Sequence, residues 1–131
     1  MATLLFRCAD PNPPISLIAR FREFTQFSIG DIRQRITDGV PLIEIEPFRN
    51  DWQQSRHLLM RLSRAIDDGS LPLSVAESLD GDESPVTPDM LRNLIQRYRG
   101  IETDDQMHTD LQLGEINDPA EFQPHDDDWT T

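Results

Sequence analysis

A chain of 131 residues has the length of a single domain, and its lone cysteine, Cys8, excludes an intrachain disulfide and points to a reducing cytoplasm. Hydrophobic residues make up 37% against a formal net charge of −12, which predicts a modest core with a polar extension. No stretch approaches the roughly 18 apolar residues of a membrane span, and Met1–Arg7 has no basic region ahead of an apolar run, so no secretory leader is expected.

Residues 2–9 read as a short strand, ended by the Pro11-Asn-Pro-Pro14 cluster. From Ile15 to Gln26, Leu17, Ile18, Phe21 and Phe24 keep helical spacing. Ser28-Ile-Gly-Asp31 has the pattern of a capping box, a hydroxyl at the N-cap with a carboxylate three residues on. It opens a second short helix with Ile29, Ile32 and Ile36 on one side, and Gly39 suits the left-handed position past its end. Val40 to Phe48 alternates Ile43 and Ile45 against Glu44 and Glu46, a strand with one buried and one wet face. Asn50 or Asp51 caps a third helix, with Gln54 in the reciprocal position and Ser55, Leu59, Leu62 and Ile66 on its inner face. Leu71-Pro-Leu-Ser-Val-Ala is a third strand whose Pro72 suits an edge or a strand start.

Residues 80–86 are rich in turn formers and read as a linker. Thr87-Pro88-Asp89 then supplies an N-cap, a proline at the first helical position and an acid in the first turn. Leu91, Leu94, Ile95 and Tyr98 share a face of this helix, and Gly100 closes it. Beyond Gly100 the apolar residues are sparse, so residues 101–131 are expected to be an acidic tail, extended or ordered only by a partner. The expected fold is therefore α/β of the α+β kind, a β-α-α-β-α-β two-layer sandwich over residues 1–79 with a three-stranded sheet and three helices. The linker 80–86, an amphipathic helix over 87–100 and the tail follow.

Within residues 2–79 the segment Ile18-Ala-Arg-Phe-Arg-Glu-Phe-Thr-Gln-Phe-Ser-Ile-Gly-Asp-Ile-Arg33-Gln-Arg35 resembles the first two helices of the C-terminal domain of the bacterial ribosomal stalk protein. That family runs in the same order of elements, and the resemblance covers about three fifths of the chain. It implies the same small α/β fold and, through the Phe27–Arg35 surface, recruitment of a translational GTPase. The family's second helix is rich in Lys and Gly, whereas Ile29-Gly-Asp-Ile-Arg33 departs from that pattern and the chain has no Lys.

No catalytic constellation stands out. Cys8 lies in an apolar strand, where a small buried thiol is expected, and His57, His108 and His125 sit in no nucleophile signature. Glu44 with Glu46, about 7 Å apart by the strand rise, and Asp67-Asp68, Asp104-Asp105 and Asp126 to Asp128 are carboxylate clusters without a visible walled cleft. Asp80-Gly-Asp-Glu83 lacks the calcium-loop pattern, and His125-Asp-Asp-Asp128 offers ligands with no scaffold, so no metal and no cofactor are expected. No Gly-rich phosphate loop is present.

The charge is unevenly placed. Residues 1–76 are neutral, with nine arginines and nine acids, whereas residues 100–131 hold ten acids and no Arg or Lys. Such a segment repels nucleic acid and anionic membrane and attracts basic proteins. The expectation is thus a cytoplasmic, non-enzymatic binding protein: an immunity or inhibitor protein that neutralises a basic toxin or nuclease. The contacts would fall on Asp104, Asp105, Asp110, Glu115, Asp118, Glu121, Phe122 and Trp129, the acids steering and the apolar residues anchoring. The alternative is the stalk-like module.

Overall fold

The computed structural model of the chain describes residues 2–131. These residues form two compact units, the first ending at Leu91 and the second running Arg92–Thr131.

The first unit is α+β. Its elements in order are β1 (Ala2–Cys8), α1 (Ile15–Phe21), α2 (Ile29–Asp38), β2 (Ile43–Ile45), α3 (Trp52–Asp67), β3 (Leu73–Leu79) and β4 (Asp82–Val86). Through β3 this is the order expected from the sequence. The sheet has four antiparallel strands in the order β2-β1-β3-β4, not three. The extra strand is the segment read as a linker. Asp80 and Gly81 both take positive φ, 52° and 89°, and Leu79 pairs with Asp82 across them. Such a two-residue Asp-Gly turn matches strand twist, so it makes a hairpin where the sequence suggested a loop. Pro85, with no N–H to give, is tolerated because β4 is an edge strand.

Local signals set the helix ends. The Ser28 hydroxyl accepts from the Asp31 amide at 3.1 Å and the Asp31 carboxylate from the Ser28 amide at 3.4 Å, completing the box. Gly39 ends α2 at φ 69°, a conformation in which a Cβ is strained. Asp51 stands at the N-cap of α3 without a side-chain cap bond, so the box expected with Gln54 does not form. The first helix stops at Phe21 rather than continuing to Gln26, and Phe24 instead lies under the Arg61 guanidinium, 4.7 Å from its ring.

Register puts Leu4 and Phe6 on the same sheet face as Ile43, Ile45 and Val75, and all five are buried. Ile18, Phe21, Ile32, Leu59 and Leu62 complete the core from α1, α2 and α3. On the other face Glu44 is exposed beside Leu5. Among the described residues no helix is long and apolar enough to cross a membrane.

The fourth helix, α4, runs Pro88–Leu113, thirteen residues past the expected stop at Gly100. Thr87 caps it, its hydroxyl accepting from the Met90 amide at 3.1 Å. Gly100 does not take positive φ; Gly114 does, at 76°. A glycine inside a helix costs only about 1 kcal/mol relative to Ala, and residues 101–113 contain no proline to stop it. The region expected to be extended is therefore helical to Leu113, with a 3-10 turn at Pro119–Glu121 beyond it.

Removing the capping hydroxyl isolates one of these local signals. Ser28→Ala should cost about 1 kcal/mol, read as a lower midpoint in urea with an unchanged slope.

Candidate functional site

In the second unit the chain after Gly114 returns as a strap that runs antiparallel to α4 and is bonded to it along one polar stripe. Arg99, Glu102, Gln106 and Asp110 recur at intervals of three and four, and so share a face of the helix. The centre of the attachment is Arg99, whose side chain is only 8% exposed. Its Nη1 bonds Asp126 Oδ1 at 2.9 Å and Glu102 Oε1 at 3.3 Å, and Nη2 donates to the Asp126 carbonyl at 3.1 Å. Asp128 lies 3.9 Å from Nε. Burial opposes the guanidinium's charge, but the hydrogen bonds to Asp126 and Glu102 outweigh it and raise its pKa.

Trp129 follows from the same seat. It is 5% exposed, and its indole N–H donates to Glu102 Oε1 at 2.7 Å, the polar partner a buried indole requires. Further along the stripe, the Gln106 amide nitrogen donates to Asp126 Oδ1 at 3.2 Å, while its oxygen accepts from the His125 amide at 3.0 Å. The His125 ring meets the Asp110 carboxylate at 2.8 Å and tilts against Phe122, with ring centres 6.1 Å apart. Thr130 donates through both its amide and its hydroxyl to Asp128 Oδ1, at 2.9 and 2.6 Å. These two bonds hold the Asp128 carboxyl below its ordinary value against slight desolvation, with Arg99 adding to the effect.

Several residues expected to meet a partner are thus occupied within the chain. Trp129 is buried, so it is no exposed anchor, and Asp110 is engaged by His125. The Asp118 side chain accepts from the Ala120 amide at 2.9 Å and caps the 3-10 turn, and Glu121 accepts from the Asn117 amide at 3.2 Å. Phe122 is half-buried against His125. The Glu115 carboxylate is exposed.

Asp104 and Asp105 differ from these. They lie on the side of α4 opposite the strap-bearing stripe, both exposed, in register with Ile101, which is 40% exposed, and with His108. The His108 ring bonds the Asp104 backbone carbonyl at 2.7 Å, leaving both carboxylates turned to solvent. The sequence reading missed the stripe Arg99, Glu102, Gln106 and Asp110. Its signal was present: polar residues at helical spacing, followed by a compact His-Asp-Asp-Asp-Trp segment of complementary chemistry.

Elsewhere, the Cys8 thiol donates to the Asp10 carbonyl at 3.2 Å, and burial pushes its pKa up. Among the described residues no group of three or more His, Cys, Asp or Glu is arranged to hold a metal ion. No protein-family model, curated protein or solved structure matches the chain.

Two outcomes test the strap. Arg99→Met leaves Glu102 and Asp126 facing each other without a cation, and hydrogen bonds to charged groups contribute about 1.5–3 kcal/mol each. The Trp129 indole proton should then exchange with solvent at least tenfold faster, as read by NMR. Asp128 also gives a sign for acid. Its folded pKa lies below the ordinary 3.8, so its contribution is whole above that value and is lost as pH falls beneath it. The Trp129 indole resonance should therefore shift toward its unfolded position below about pH 3.8, and Asp128→Asn should make that shift shallower.

Proposed function

We propose that the chain is a non-catalytic acidic binding module that inhibits a basic protein, such as a toxin or nuclease, by direct contact in the manner of an immunity protein. The observation that carries this reading is the outward face of α4. There Asp104 and Asp105 flank the exposed Ile101, while the opposite face is fixed by the strap. Two free carboxylates around an aliphatic side chain suit a lysine- or arginine-rich surface: the acids steer approach and the isoleucine slows release. Ten acids against three arginines in residues 92–131 extend that field, and one of the arginines, Arg99, is already neutralised by the strap.

The contacts thereby move from the strap to the helix. Trp129 and Asp110 serve the fold, and Asp104, Asp105 and Ile101 serve the partner. Because the strap is docked before any partner arrives, association does not bear the cost of ordering it.

A second reading, a stalk-like module that recruits a translation factor, draws on one observation, the order β1-α1-α2-β2-α3-β3. It would use the α1–α2 surface instead of α4. Arg35 is a poor probe of it, because its guanidinium donates to the Pro41 carbonyl at 2.9 Å and stacks 4.1 Å from the Phe27 ring centre.

The test begins with capture from host lysate at low salt. The inhibitor reading expects one basic protein, retained in stoichiometric amount and weakened by salt. With that protein purified, Asp104→Asn with Asp105→Asn should lower its association rate about tenfold at low salt and little at high salt, and Ile101→Ala should mainly raise the dissociation rate. An association rate unchanged at low salt would overturn the electrostatic role, and recovery of translational GTPases would support the second reading.

A further inference from the structure

We draw no further inference here: the strongest candidate, the polar basin of the first unit lined by Thr3, Leu5, Glu44, Glu46, Ser55 and Ser78, rests on two exposed carboxylates, and nothing in the structure shows what would occupy it.

Discussion

A buried guanidinium organises the second unit. Arg99 cannot lose its proton, and a charge held at 8% exposure needs compensating carboxylates. One comes from the next helical turn, Glu102, and the others from Asp126 and Asp128, 27 and 29 positions downstream. That demand is met where residues 125–130 return onto α4. Seating Asp126 and Asp128 puts Trp129 where its indole N–H is excluded from water, and Glu102 accepts it. Gln106 and Asp110 lie one and two turns beyond Glu102 and bind the approaching strap at His125. Each bond fixes the register of the next, so the strap is one connected polar network and not a set of separate contacts.

The same network divides the acids of this unit into two populations. Glu102, Asp110, Asp126 and Asp128 face cations or donors inside the chain and are spent on its fold, whereas Asp104 and Asp105 point away from the strap into water. Net charge counts both populations alike, but the carboxylates of the second, like that of Glu115, are not spent on bonds within the chain. Fixing the strap also fixes the rotation of α4 about its own axis relative to that strap, and with it the direction in which Asp104, Ile101 and Asp105 are displayed. A polyanionic face on a bonded helix keeps its carboxylates in fixed relation to one another. A flexible acidic tail would have to give up conformational freedom to do so.

The sequence revealed those parts of the fold that rest on local chemistry. The Ser28–Asp31 box, the Gly39 stop, the Thr87-Pro88 start and the Ile43/Ile45 alternation each need only a few adjacent residues, and each is present. Features resting on long-range polar complementarity leave a pattern of polar spacing that hydrophobic periodicity does not register. Hydrophobic periodicity registers apolar side chains, so a helix whose working face is Arg99, Glu102, Gln106 and Asp110 looked like the beginning of disorder. Gly100 looked like a stop because glycine often is one, although its dihedrals here are helical. Asp80-Gly81 was visible as a turn, but the strand after it, Asp-Glu-Ser-Pro-Val, has no apolar alternation and takes its register from β3. For the candidate site, charge alone pointed to Asp104 and Asp105, and the burial of Trp129 was not foreseen because an isolated aromatic in an acidic context carries no sign of the carboxylate that accepts its indole N–H.

The arginines complete the electrostatic picture. Arg7 is tied to Glu83 at 2.7 Å and to the Gly39 carbonyl, Arg35 to the Pro41 carbonyl and the Phe27 ring, Arg61 to the Phe24 ring and Arg99 to the strap. Several of the molecule's positive charges are therefore committed to holding structure, through the planar fork and the stacking that lysine cannot supply as well. This gives the all-arginine composition a structural use beside any bias of the genome.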